Sequence, residues 1–439
     1  MTDTSQSTGI DNNARKPRKR GFILHLHPAL LPKDAILFNR TFGLGGMAAL
    51  LFVIQAFTGI LLRFVYEPSA EKAYESILFI QQNIIFGQLV RNIHHWSGIF
   101  FVIITFLHLL RTFYSQAFFT PRRINWVIGV GLLLTVTLSN FTGYLLPWDQ
   151  LAYWAITVST SILEYIPVAG TWLMNIVRGG NEVGSATLLN FYTLHTGIMP
   201  VILITLMVFH FWRVRKAKGI ALPGNMKEME KVPGNPNLVM KELVVGLVLI
   251  AFILFLSVFL NAPLLEKANP AFSPNPAKAP WYFMGMQELL LHFHPIFAGV
   301  IIPFVFFIGM FYLPYVSYSD SRPGYWFGSE QGKKMAIRSA ILALIITPLA
   351  ILADEYLLDF EGWMKGIPIL ISNGLIPFIL LLFTITGYII LIKKRYKASK
   401  IEWIIALFTV IVVSYSVLTV IGIWFRGPGM NFMLPWEIN

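Results

Sequence analysis

Residues 91–111 read RNIHHWSGIFFVIITFLHLLR, and residues 191–211 read FYTLHTGIMPVILITLMVFHF. Each is an apolar run long enough to cross a hydrocarbon core, which takes roughly 20 residues as a helix. Each also carries histidine near both ends: His94 and His108 in the first, His195 and His210 in the second. A metal-binding or ionisable side chain inside a span is costly and points to function. The pairs are 14 and 15 residues apart, which at about 1.5 Å per residue is roughly 21–22 Å along the helix. At about 100° per residue, fourteen steps return to within roughly 40° of one face and fifteen to within roughly 60°. Two neighbouring helices of this kind offer one imidazole each at two levels. That arrangement suits two haems clamped by paired histidines, one above the other.

The rest of the chain agrees with a membrane setting. Of 439 residues, 56% are hydrophobic and 13% charged, about half the charged share of a soluble domain. Apolar stretches of spanning length begin near Thr41, Ile93, Trp126, Leu188, Lys241, Ile296, Ala336, Pro368 and Ile401. The expected fold is therefore all-α, a polytopic bundle of about nine spans around a four-helix di-haem core. The Ala336 span is the weakest, because Pro348 and Asp354 shorten it.

Charge sets the orientation. The net charge is +12, but it is distributed as membrane flanks, not as a nucleic-acid surface. Arg15, Lys16, Arg18, Lys19 and Arg20 precede the first span; Arg122 and Arg123 follow the second; Arg213, Arg215, Lys216 and Lys218 follow the fourth; Lys393, Lys394 and Arg395 follow the eighth. The alternate loops hold Glu67, Glu71 and Glu75, then Asp354, Glu355, Asp359 and Glu361. Basic loops stay cytoplasmic. The N-terminus is expected inside and the C-terminus outside, in a bacterial inner membrane. No cleavable leader is expected; a disordered tail leads into an interfacial helix over Gly21–Phe38.

With the orientation set, the second and fourth spans run parallel, so His94 faces His195 near the outer surface and His108 faces His210 near the inner. Glycine repeats the same interval: Gly45 and Gly59 on the first span, Gly129 and Gly143 on the third, each pair 14 apart. A flat porphyrin lets a helix pass only where no side chain intrudes. Arg91 and Arg111 each lie three residues from a ligand, where haem propionates would emerge. A lone membrane histidine is more often a polar packing contact, and glycine pairs usually mark close helix packing alone. Four of each on one repeat are what favour the haem reading. His95 points elsewhere; His25 and His27 are read as interfacial, and His292 and His294 as loop residues. Cysteine is absent, which removes thioether-linked haem and iron–sulfur ligation from this chain.

The stretches Arg91-Asn-Ile-His-His-Trp-Ser, Gly143-Tyr-Leu-Leu-Pro-Trp-Asp-Gln-Leu-Ala-Tyr-Trp and Phe191-Tyr-Thr-Leu-His-Thr resemble the cytochrome b subunit of Rieske/cytochrome b complexes. The 15-residue interval resembles the plastid and cyanobacterial branch, although this chain continues unbroken after the fourth helix. The likeness runs from about Pro32 to Leu313. It implies two noncovalent b haems and a Q cycle. Quinol would be oxidised at an outer pocket, with one electron passing to a Rieske iron–sulfur partner and the other through the haems to an inner quinone site. It also implies a cytochrome c-type partner subunit and a homodimeric complex.

Two departures stand out. The family's outer-pocket motif Pro-Glu-Trp-Tyr is here Ala279-Pro280-Trp281-Tyr282, so the usual carboxylate is missing. Glu288, a few residues later, is the candidate substitute as general base, against its reading as a helix-start or surface carboxylate. Trp281 and Tyr282 are read as lining the pocket, although interfacial aromatics also serve as ordinary anchors. The missing glutamate suggests a low-potential quinone such as menaquinone. The branch's extra haem is attached to a first-helix cysteine, and Gly43 stands there, which excludes the covalent attachment. Arg215 and Lys216 match a basic pair near the inner quinone site, and equally serve as positive-inside anchors.

The expected organisation is a tail and interfacial helix (1–40), the di-haem core (41–215), a cytoplasmic connector (216–239), quinol-site helices and outer loop (240–320), and a C-terminal extension (321–439). Two rivals are weaker. A di-haem anchor of a formate dehydrogenase or nitrate reductase would have no reason to carry Gly-Tyr-Leu-Leu-Pro-Trp or Pro-Trp-Tyr. A transporter with a histidine proton relay would not need the repeated spacing.

Overall fold

A computed structural model describes residues 29–224, 228–318 and 322–437. Among them, nine helices are long and apolar enough to cross a membrane: Leu44–Arg63, Gly87–Tyr114, Arg123–Tyr144, Ser185–Lys216, Gly234–Phe259, Phe297–Tyr315, Glu330–Tyr356, Leu370–Tyr396 and Lys400–Trp424. These are spans one to nine below. The chain is an all-α, multi-pass membrane protein. The seventh span runs unbroken through Pro348. Immediately before it, Thr347 Oγ1 donates to Ser414 Oγ of the ninth span (2.8 Å), the kind of neighbouring-helix support that lets proline sit inside a membrane helix.

Three spans are locally widened. Leu194–Ile198, Phe297–Ile301 and Leu370–Leu375 are π-helical, and each ends two residues before a proline: Pro200, Pro303 and Pro377. Proline has no N–H to give and its ring crowds the carbonyl four residues back. One extra residue in the preceding turn relieves that clash.

Contacts on the basic side tie the connecting segments together. Leu30–Pro32 forms a strand antiparallel to Lys231–Pro233, pairing Leu30 with Pro233, Leu31 with Val232 and Pro32 with Lys231. A 3₁₀ turn, Lys33–Ile36, follows. The expected interfacial helix is therefore replaced over these residues by strand and turn, since Pro32 lacks the N–H a helix needs. The expected disordered tail, the helix before residue 29, and His25 and His27 lie outside the described residues. The Arg122 guanidinium donates to the carbonyls of Ala217, Gly219 and Ile220, fastening the connector after span four to the start of span three.

On the opposite side, two surface helices, Gln150–Ser161 and Gly170–Arg178, lie beside the long loop after span five. Asp149 caps the first, accepting from the backbone N–H of Ala152 (2.9 Å) and also from that of Leu265 (3.1 Å). A carboxylate at an N-cap satisfies an orphan amide and favours the helix start. Here it also pins the loop to the helix.

Spans one and two, two and three, and three and four are packed side by side. They form a four-helix bundle whose core includes Leu51, Phe101, Val102, Val136 and Leu203. The last spans pack differently. Span nine lies along span seven and also against a short helix, Met284–His292.

Candidate functional site

The bundle brings the four histidines together in two pairs. The imidazole centres of His94 and His195 are 6.1 Å apart; those of His108 and His210 are 6.3 Å apart. A metal held between two imidazole nitrogens at about 2.0–2.1 Å, the length of a zinc–imidazole bond, needs ring centres roughly 6 Å apart. Both pairs meet that requirement.

Each glycine of the repeat abuts one of these rings. A Cβ at Gly45 would lie 3.4 Å from His108 Cε1, at Gly59 3.2 Å from His94 Cε1, at Gly129 3.6 Å from His210 Cε1, and at Gly143 2.5 Å from His195 Cε1. The space the glycines leave is filled by the imidazoles themselves, one glycine to one histidine. Gly143 is the tightest, with no room for any side chain.

The unequal intervals now have a cause. Span two is regular α-helix between His94 and His108, whereas His195 lies in the π-helical turn Leu194–Ile198. A π-bulge adds one residue without adding a turn. Fifteen residues in span four thus match fourteen in span two, and the regular-helix arithmetic, which leaves the fifteen-residue pair about 60° out of phase, does not apply there.

Hydrogen bonds set the ring orientation at one level. Thr58 Oγ1 donates to the Ile54 carbonyl (2.7 Å) and lies 2.9 Å from His94 Nδ1, from which it accepts. His195 Nδ1 is 2.9 Å from the Ser139 carbonyl oxygen and donates to it. With Nδ1 carrying the proton, Nε2 of each ring presents its lone pair as a metal ligand must. Gln55 buttresses the same region, donating to the His94 carbonyl (2.5 Å) and to Ser97 Oγ (2.6 Å). At the other level, His108 Nδ1 is buried and makes no hydrogen bond among the described residues. Thr58 and Ser97 escape a sequence reading that looks for ligands, their signal being a hydroxyl residue inside an apolar span; Ser139 acts through its backbone carbonyl and leaves no side-chain signal.

A family model described as "Cytochrome b/b6/petB" matches residues 32–218. The cytochrome b6 of Synechococcus elongatus (strain ATCC 33912 / PCC 7942 / FACHB-805) is 40% identical over 185 residues, covering 42% of this chain and 86% of that protein. The cytochrome b6 of Heliomicrobium gestii is 40% identical over 192 residues, 44% of this chain and 90% of that protein. This chain belongs to the cytochrome b/b6 family. It is accordingly an electron-transfer subunit of a membrane quinol oxidoreductase and a b-type haem protein. A solved structure of a "Hyperthermophilic respiratory Complex III" matches 90% of this cytochrome b with a TM-score of 0.64, covering 94% of that chain at 24% identity. At that identity the likeness speaks for the fold, and it extends through the C-terminal spans that the family model leaves unmatched.

The remaining site residues of this cytochrome b fall into three places. Arg91 and Arg111 are buried, and both grip backbone: Arg91 donates to the carbonyls of Ala262 (2.8 Å) and Pro263 (2.6 Å), and Arg111 to that of Arg40 (2.6 Å). Arg215 is exposed in the last turn of span four. On the side opposite the basic loops, a narrow cleft of about 20 Å³ lies between helix Gln150–Ser161 and the segment running into helix Met284–His292; Trp154, Ser159, Ala279, Phe283, Met286 and Gln287 are among its walls.

Trp281 and Tyr282 form a 3₁₀ turn with Phe283; contrary to expectation the first two are not among the cleft's walls, and they pack against the core of the four-helix bundle. The Trp281 indole N–H and the Tyr282 hydroxyl are buried and make no hydrogen bond among the described residues, which is rare for buried polar groups. Glu288 does not line the cleft. It is fully buried, and Arg426 Nη2 donates to its Oε1 at 2.6 Å, while His292 Nε2 lies 3.3 Å from the same oxygen. Burial alone would raise its pKa, but hydrogen bonds from His292 and Arg426, and their charges, hold the carboxyl below the usual range. Burial likewise opposes a charged His292, yet its hydrogen bonds to Asp354 and Glu288 push it up to about 9. His292 is the last residue of helix Met284–His292.

Proposed function

We propose that this chain is the di-haem, quinol-oxidising subunit of a Rieske/cytochrome b complex running a Q cycle. The observation that carries it is the doubled imidazole pair, at 6.1 and 6.3 Å, with a glycine against every ring. His94 and His195 would hold one noncovalent b haem, and His108 and His210 the other. Arg91 and Arg111, buried at the two levels, supply positive charge for the haem carboxylates. When bound, the haems supply the one-electron conduit that forms the second branch of a Q cycle, the first branch being a Rieske iron–sulfur partner.

The chain's own residues supply the rest. The apolar walls of the cleft, with Trp154 and Phe283, would part to take the quinol ring and exclude water, while Trp281 and Tyr282, on the turn between its Ala279 and Phe283 walls, offer unsatisfied N–H and O–H groups. Gln287 is held rigid, donating to the Ala277 carbonyl (2.7 Å) and accepting from the Ala279 N–H (2.6 Å). Arg215, exposed on the basic side, would donate a hydrogen bond to a quinone carbonyl at the inner site. Positive loops orient the chain with its N-terminus cytoplasmic and, after nine spans, its C-terminus outside. The setting is a bacterial inner membrane, the partners a Rieske protein and a cytochrome c-type subunit, and the assembly a homodimer.

Bifurcation is tested with an oxidant pulse. In a quinol-poised complex, sudden oxidation of the outer acceptor is expected to increase b-haem reduction transiently, because the first electron's departure releases the second into the chain. Immediate, monotonic b-haem oxidation would count against the Q cycle. The reading of the substrate as menaquinone is checked by extracting the bound quinone; ubiquinone or plastoquinone would sink it.

A further inference from the structure

We propose that span nine and the tail after it form an internal clamp on the quinol-site loop, with Arg426 as the positioning residue and Glu288 as its anchor, not a proton acceptor. This rests on reading the cleft as the quinol pocket.

Helix Met284–His292 presents two faces. Met286, Gln287 and Leu290 border the cleft. Gly285, Glu288 and His292, at intervals of three and four, lie on another face, as helical spacing requires. That second face meets span nine: a Cβ at Gly285 would lie 2.8 Å from Thr419 Oγ1 and 2.9 Å from Tyr415 Cε2, and one at Gly422 would lie 2.9 Å from Met284 Cε. Small residues on both partners bring the two helices into close contact.

The charges of this interface are enclosed. Arg426 is 1% exposed and Glu288 0%. Arg426 Nε donates to both Glu288 oxygens at 3.1 Å, and its Nη1 donates to Glu355 Oε2 (3.1 Å) and to the Met430 carbonyl (3.0 Å). His292 Nδ1 donates to Asp354 Oδ2 (2.7 Å). With Oε1 shared by Arg426 and His292 and Oε2 bonded to Arg426, the Glu288 carboxylate is held on the face away from the cleft, whose walls do not include it. Removing either member of such a pair strands a buried charge, which is why the pair holds position strongly.

Further ties run along the loop. The Tyr415 hydroxyl donates to the Tyr282 carbonyl (2.8 Å), Lys278 Nζ to the Ile423 carbonyl (2.8 Å), and the Gly429 N–H to Asn275 Oδ1. The extension thus grips the loop on both sides of Trp281–Tyr282.

The test uses the assembled complex in its native membrane, reading quinol KM and kcat against pH together with the reduced-minus-oxidised spectrum. Arg426→Ala is expected to keep both b-haem signals and raise KM about ten-fold or more, through lost positioning. Glu288→Gln is expected to raise KM about two- to five-fold with the pH profile of kcat unchanged in shape. If Arg426→Ala does not assemble, Tyr415→Phe is measured, with a KM increase of about two- to five-fold expected from one lost hydrogen bond. An Arg426→Ala complex with normal KM overturns the clamp. A Glu288→Gln complex whose kcat falls about a hundred-fold and loses a limb of its pH profile makes Glu288 the base after all. Ala155→Trp, which fills the cleft, separates the two readings: unchanged KM there defeats the quinol pocket itself, whereas raised KM there with normal KM in Arg426→Ala defeats only the clamp.

Discussion

Spans one to four carry their chemistry in a regular interval, with histidine against glycine at two levels. Spans five to nine carry no such interval, and the polar residues they bring to the quinol side are scattered through the chain. Glu288 and Arg426 are 138 residues apart yet share a buried ion pair. A cofactor of fixed size imposes a period on the helices that hold it. A substrate pocket needs only walls and a few polar groups in place, which distant segments can supply in many ways. Different kinds of evidence are therefore needed to read the two halves.

The largest effect that sharpens this contrast comes from the glycine repeat. Gly143→Ala, whose Cβ would sit 2.5 Å from His195 Cε1, is expected to abolish the haem signal of the His94/His195 level and reduce quinol oxidation by about a hundred-fold or more. Gly129→Ala, with 3.6 Å to His210 Cε1, is expected to retain both haems. Difference spectra of the two variants check this; equal haem contents would break the account of the repeat.

A smaller effect belongs to the other half and depends on pH. His292 faces Glu288 and Asp354, with Arg426 and Glu355 behind them. Its pKa is raised from 6.5 to about 9, so the protonated form supports the clamp. That support is full below pH 6.5 and fades as pH rises through about 9. Quinol KM should therefore climb several-fold between these limits, and His292→Gln should flatten the climb. A wild-type KM that is constant over the range contradicts the assignment.

The smallest effect returns to the first half. Thr58→Val removes the acceptor for His94 Nδ1–H. One lost hydrogen bond, roughly 0.5–1.5 kcal/mol, corresponds to about 20–65 mV for a one-electron couple. Because the bond makes the imidazole a stronger donor and favours the oxidised metal, the midpoint should rise for one haem and stay fixed for the other. A redox titration that moves both equally, or neither, would remove Thr58 from the positioning role.

Much of the membrane architecture is legible in the sequence. All nine spans are found, six beginning within about three residues of the expected positions and those starting at Gly87, Gly234 and Glu330 about two turns early, because lipid enforces length and polarity so strictly that composition alone reveals them. The histidine pairing is legible for the related reason that 14 residues close four helical turns. The π-turn around His195 is less so. Pro200 signals a disturbance, but not whether the helix will kink or widen. The strand Leu30–Pro32 is hidden because its partner lies some two hundred residues away. Glu288 is read from sequence only as a carboxylate near a pocket. Its direction depends on Arg426, and no local pattern announces that partner.

The account's central claim is two b haems held at two levels by four named histidines. Pyridine-haemochrome quantification and reduced-minus-oxidised spectra of the purified chain, for wild type and His108→Ala, test it most directly. Two noncovalent b haems per chain, with one lost in the variant and the other spectrally intact, is the predicted result. A wild-type chain with a single haem, or a His108→Ala variant that keeps both, would contradict it.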